Sequence, residues 1–131
     1  MLLGALSFGV AGMTVELLLL GHVDGTAQWI PIVLLGASLL LLAWHAVAPS
    51  RVTVRALQVA MILFVITGGI GVGLHYDGNV EFELELSPEA RGLELVTKTL
   101  TGATPVLAPG MMTLLGLVGL ALVHRHPATE E

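Results

Sequence analysis

Cysteine is absent from this 131-residue chain, which excludes a disulfide, an iron–sulfur cluster and thiolate-bound zinc. Charge is scarce too. Only 11% of the residues are Asp, Glu, Lys or Arg, and five of them are Lys or Arg. Those five, Arg51, Arg55, Arg91, Lys98 and Arg125, are scattered, so there is no basic patch for nucleic acid to bind. Catalytic signatures are missing as well. No grouping of Ser, His and Asp suited to nucleophilic attack is visible. The glycines of residues 68–73 lie inside an apolar run and do not follow a strand, so they form no phosphate-cradling loop. The expectation is a protein that is not an enzyme.

Apolar sequence is what the chain has in abundance. It is 55% hydrophobic with a mean hydropathy of +0.90, and a soluble domain of that composition would lack the polar surface to stay dissolved. Apolar runs occupy residues 2–21, 29–48, 52–75 and 105–124. Each is about 20 residues, the length that a helix rising ~1.5 Å per residue needs to cross a ~30 Å hydrocarbon core. They predict an all-α membrane protein, a single integral domain of four transmembrane helices in a bundle. Trp29 and Trp44 suit the membrane–water boundary, Pro31 suits a first helical turn, and Pro49 follows the second run. The first run is read as a retained helix and not as a cleaved signal, because no Lys or Arg precedes it, it is long, and Glu16 interrupts it late.

Arg51 and Arg55 flank the connection between the second and third runs, and Arg125 follows the fourth. By the positive-inside rule both termini are then cytoplasmic in a bacterial inner membrane. The outer side receives a short loop, 22–28, and a long one, 76–104. Within the long loop, Val80 to Leu86 alternates apolar and acidic residues, the period of a strand with one apolar face. Ser87-Pro88 reads as the N-cap and first turn of an amphipathic helix whose stripe is Ala90, Leu93, Val96 and Leu100. Phe82, Leu84 and Leu86 on the strand, with Leu93, Val96 and Leu100 on the helix, need a surface to cover and are the expected partner contacts.

Two internal patterns concern packing. His22-Val23-Asp24-Gly25 and His75-Tyr76-Asp77-Gly78 close the first and third runs alike. Pro31 to Pro49 and Pro109 to Pro127 are equally spaced. Either a helical hairpin is used twice about an axis along the membrane normal, or apolar helices merely resemble one another by composition. The richest seam of small residues is Gly68, Gly69, Gly71 and Gly73, including Gly69-x-x-x-Gly73, with Ala5, Gly9, Gly12, Gly116 and Gly119 as facing surfaces.

Glu16 is the most informative residue. It lies about 9 Å from the end of its helix, counted from His22 at the helical rise. An ionisable group at that depth costs ~2.5 kcal/mol or more, so it must face the interior and find a partner, with His75 and Thr67 the candidates by depth. It is a proton or cation relay, an anchor for another helix, or an internally bonded carboxyl that fixes packing. Gln58, the other polar group within a run, suits helix–helix glue. His22 and His75 end runs on one face and His45 and His124 on the other, a set that would serve two b-type haems or simply meet water. His22, Asp24, His75 and Asp77 would suit a divalent metal if the first and third helices touch, with Glu81, Glu83 and Glu85 as a collecting rim; otherwise these groups are only solvated.

His75, Asn79-x-Glu81-Phe82-Glu83, residues 105–110 (PVLAPG), Leu115-Gly116-Leu117 and His126-Pro127 together resemble small four-span bacterial inner-membrane proteins of unassigned function. That likeness covers roughly the second half and implies the architecture but no reaction. The expected function is a small non-catalytic accessory subunit that packs against other membrane proteins or itself within the lipid bilayer. The alternatives are ion or metal transport or handling through Glu16 and the His-x-Asp pairs, and a di-haem electron carrier. No cofactor is expected under the first reading; haem b or a divalent metal belongs to the others.

Overall fold

A computed structural model describes residues 1–21, 23 and 25–124. Among them the chain forms five helices and no strand: α1 (Leu2–Leu19), α2 (Thr26–Val47), α3 (Arg51–Leu86), α4 (Gly92–Leu100) and α5 (Gly110–Val123). The first three are long and apolar enough to cross a membrane, as the length of their apolar runs requires. The protein is therefore helical and of membrane type.

The fourth apolar run behaves differently. Its helix, α5, has 14 residues, a rise of about 21 Å, short of a ~30 Å hydrocarbon core. The cause is local. Pro105 and Pro109 lack the N–H that a helix interior needs, and residues 105–109 instead make successive turns, with the Ala108 N–H donating to the Pro105 carbonyl at 3.1 Å and the Gly110 N–H to the Leu107 carbonyl at 2.9 Å. In α2, Pro31 falls beyond the first turn because the helix already starts at Thr26. Its missing N–H deprives the Ala27 carbonyl of its usual helical donor.

The strand expected from Val80 to Leu86 is not formed. α3 runs unbroken for 36 residues through that stretch, a rise of about 54 Å. Burial there follows helical steps of three and four: Val72, His75, Tyr76, Asn79, Val80 and Glu83 are buried or half-buried while their neighbours are exposed. A lone strand would leave its backbone N–H and C=O groups unpaired on both edges, whereas extending α3 pairs them internally. Glu and Leu are good helix formers and follow. Ser87-Pro88 likewise does not open the next helix. Ser87 is the C-cap of α3, its N–H donating to the Glu83 carbonyl at 2.8 Å. α4 begins at Gly92, whose φ of +58° lies in the left-handed region that favours glycine.

α4 folds back onto α3 and is clamped there by Asn79. The Asn79 amide donates to the carbonyls of Thr99 at 2.9 Å and Thr104 at 2.7 Å, and its oxygen accepts from the Thr104 N–H at 3.2 Å. The helix is amphipathic as expected, but its inner side is Leu95, Lys98 and Thr99, and the apolar stripe of Leu93, Val96 and Leu100 is turned outward.

The remaining helices share one core. α1 touches α2 and α5, α2 touches α3, and α3 touches α5. Leu6, Val10, Leu35, Leu42, Leu57, Met61, Phe64 and Met112 fill the space between. α3 and α5 approach most closely because glycine lets them. A Cβ at Gly68 would lie 2.6 Å from the Thr113 nitrogen, one at Gly71 2.7 Å from the Pro109 Cβ, and one at Gly116 2.7 Å from the Met61 carbonyl, while Gly119 lies against the Met61 sulfur. The expected Gly69-x-x-x-Gly73 seam is not the contact: neither glycine, nor Gly12, has anything within 4 Å of its Cβ position. One residue along a helix turns the side chain by about 100°, so Gly68 and Gly71 face α5 and Gly69 and Gly73 do not.

Candidate functional site

At the end where α1 stops and α2 starts, the helices part around a cavity of about 840 Å³. Its origin is in the residues. Gly68 and Gly71 bring no side chain to it, and the proline turns at 105–109 replace a first turn of helix. α1 contributes Met13, Glu16 and Leu17, and its C-cap Leu20 follows on the same face. Ala27, Gln28 and Pro31 come from α2, Thr67, Ile70, Leu74 and His75 from α3, Thr104, Pro105 and Ala108 from the proline turns, and Met111, Met112 and Leu115 from α5.

The walls are mainly apolar, and the polar side chains lining them are Glu16, Gln28, Thr67, His75 and Thr104. Glu16, Thr67 and His75, matched by depth in the sequence, thus line one space. Glu16 is exposed there, and its side chain makes no hydrogen bond or ion pair among the described residues. Apart from the imidazole of His75, its carboxyl is the one ionisable side chain among the described residues of the lining. His75 is half-buried and held in place, its Nδ1 lying 3.2 Å from the Pro105 carbonyl. A carbonyl only accepts, so Nδ1 carries the proton and the Nε2 of the neutral ring is left as an acceptor. A shallower apolar groove of about 420 Å³, lined by Trp29, Val33, Ala37 and Leu63, shares Ile30 and Thr67 with the cavity and adjoins it between α2 and α3.

The other candidate residues are dispersed. His45 is 5% exposed and lies at the far end, its Nδ1 2.9 Å from the Thr53 hydroxyl. That hydroxyl donates to the Ser50 carbonyl at 3.0 Å and accepts from the Ser50 N–H at 3.0 Å, and the Ser50 hydroxyl accepts from the Thr53 N–H at 3.2 Å. The group is a capping box that fixes the α2–α3 turn, a task that the spacing of Pro49, Ser50 and Thr53 makes visible. His124 is exposed at the end of α5, and α2 and α5 make no contact. His22 and Asp24 lie outside the described residues, as do Arg125, His126 and Pro127. The backbones of α1 and α3, whose close approach the His22, Asp24, His75 and Asp77 site depends on, nowhere come within 8 Å between Cα atoms, and no three His, Asp or Glu among the described residues gather to hold a metal. Asp77 is exposed and Gln58 half-buried in α3. Phe82, Leu84, Leu86, Leu93, Val96 and Leu100 are all exposed, Leu93 at 78%.

On α4 the Glu94 carboxylate meets the Lys98 ammonium at 2.9 Å. The hydrogen bond and charge of Glu94 hold the Lys98 pKa above the usual lysine range.

No protein-family model, curated protein or solved structure matches the chain, so a functional reading rests on its own residues.

Proposed function

We propose that the chain is a non-catalytic integral membrane protein that binds and handles a small ion or ligand in the cavity at Glu16, a role of the transport type. One observation carries this reading: Glu16, Thr67 and His75, from two helices, line a single cavity of about 840 Å³ whose walls are otherwise largely apolar. A carboxyl inside an apolar span is costly and marks function unless it is bonded away, and Glu16 is not bonded away among the described residues. A concave apolar site with a few convergent polar groups is the usual form of a small-molecule site. In this proposal α5 and the 105–109 turns complete a four-span bundle. Arg51 and Arg55 stand at the opposite end, so the positive-inside rule puts the cavity toward the outer side of a cytoplasmic membrane.

The test is a thermal-shift screen of the protein in lipid nanodiscs against inorganic ions and lipophilic small molecules, run on the wild type and Glu16→Gln. A ligand that stabilises the wild type and not the variant supports the proposal. Equal shifts in both for every ligand overturn it.

A second reading, a subunit that packs on another membrane protein or a second copy, is favoured by α4. Leu93, Val96 and Leu100 present an apolar stripe at 78%, 38% and 50% exposure, and Phe82 and Leu86 near the end of α3 are exposed as well. Changing Leu93 and Phe82 to Asp should release co-purifying protein if this surface is covered; unchanged assembly would remove that reading.

A further inference from the structure

From the chemistry of the cavity we infer its substrate class: a lipophilic monovalent organic cation, such as an ammonium or phosphonium ion with an apolar body. The inference rests on the reading of the cavity as a binding site.

The sign of the charge comes from the lining. Glu16 is a carboxyl, and no Lys or Arg accompanies it among the described residues of the lining. Three helix ends adjoin the cavity, the C-terminus of α1 and the N-termini of α2 and α5. Their partial charges are about half a unit each, so the two N-termini outweigh the one C-terminus by about half a positive unit, less than the unit negative charge that Glu16 carries when ionised. The other polar groups are neutral and include acceptors. Pro31 cannot donate to the Ala27 carbonyl, and the neutral His75 ring, its Nδ1–H held by Pro105, has Nε2 as an acceptor. An anion would meet the charge of an ionised Glu16 with no Lys or Arg among the described lining residues to offset it.

Size and wall chemistry decide between an inorganic and an organic ion. The described residues hold no cluster of three ligands for a metal, and about 840 Å³ falls in the range of roughly 300–1,000 Å³ that takes drug-sized molecules. Met13, Met111 and Met112 line it together with Ile70 and Leu74; thioether side chains are flexible and polarisable and adapt to varied apolar shapes. The groove that shares Ile30 and Thr67 with the cavity gives such an ion a route from the lipid between α2 and α3.

Tetraphenylphosphonium and tetraphenylborate have the same shape and opposite charge. Their binding is measured by equilibrium dialysis against nanodisc-embedded protein, with empty nanodiscs subtracted. Saturable binding of the phosphonium with little of the borate is expected, weakened tenfold or more by Glu16→Gln and retained in part by Glu16→Asp. Equal binding of both ions, or phosphonium binding unchanged in a folded Glu16→Gln protein, overturns the inference. Saturable binding of the borate alone, lost in Glu16→Gln, overturns the cation class but leaves the cavity a site. Saturable binding of neither ion overturns the cation class, and the thermal-shift screen then decides the cavity reading separately. The comparison of the two ions on the wild type needs no variant to fold.

Discussion

Replacing Asn79 with Ala should free α4 from α3 without unfolding the rest of the protein. Asn79 is 2% exposed and makes three hydrogen bonds, at 2.9, 2.7 and 3.2 Å, all to the backbone of Thr99 and Thr104. A buried hydrogen bond contributes about 0.5–1.5 kcal/mol net, and an orphaned partner costs more where water cannot reach it. Thr104 is exposed and Thr99 buried, so water can replace part of the loss. The working figure is about 2–4 kcal/mol of local stability. Since ~1.4 kcal/mol is tenfold, amide protection of α4 should drop about 30- to 700-fold. Hydrogen exchange in nanodiscs reads this directly, with the amides of α2 and the first half of α3 as internal reference. Asn79→Asp should be at least as damaging, because it keeps the acceptor for the Thr104 N–H but sets a carboxylate against two carbonyl oxygens. Protection of α4 and of the Thr104 amide that is unchanged in Asn79→Ala would refute the clamp.

Other consequences follow from the packing. Gly116→Leu should separate α3 from α5, since even a Cβ there sits 2.7 Å from the Met61 carbonyl; overpacking costs about 1–3 kcal/mol, read as a lowered melting temperature in detergent, and an unchanged value would show that the helices are not so close. Thr53→Val removes the reciprocal cap of α3 and the partner of the His45 Nδ1, with an expected loss of about 1–2 kcal/mol in the same assay. Ser38→Ala should be neutral or stabilising, because the Ser38 hydroxyl is buried without a hydrogen-bond partner among the described residues; a clear loss of stability would reveal a partner. Because Glu94 raises the Lys98 pKa, the pair's contribution to α4 is fully present below the ordinary lysine value and is lost only as pH rises through the raised one. Helicity in wild type and Lys98→Met should therefore converge at strongly alkaline pH, and convergence already near neutrality would contradict the assignment.

The three long helices were legible because bilayer thickness imposes one length on any apolar span, and 2–21, 29–48 and 52–75 satisfy it. The end of α3 was not. An alternating Glu–Leu stretch fits a half-buried strand by period and a helix by propensity, and only the backbone's need for partners decides between them. The fourth run forms a helix shorter than its apolar length for a different reason: hydropathy counts Pro105 and Pro109 as apolar, while their missing N–H groups stop the helix. The shared depth of Glu16, Thr67 and His75 could be read by counting residues. The burial of Asn79 could not, since nothing local marks which amide will meet the backbone of a helix 20 residues later. The glycine seam was placed in the correct helix, but only Gly68 and Gly71 of its four glycines meet α5, because they differ from Gly69 and Gly73 by a rotation that sequence does not fix.

The account stands on a ligand-accessible cavity between the helices, and the absence of cysteine allows a direct test. Single cysteines are placed at Thr67, which lines the cavity, and at Gly69, which is exposed and not part of the lining. Each variant in sealed vesicles is treated with a water-soluble thiosulfonate, with and without tetraphenylphosphonium. The account predicts that the thiol at position 67 is modified and is protected by the phosphonium, while the thiol at 69 stays inert in lipid. A thiol at 67 as inert as that at 69, or one modified equally with and without the cation, would contradict it.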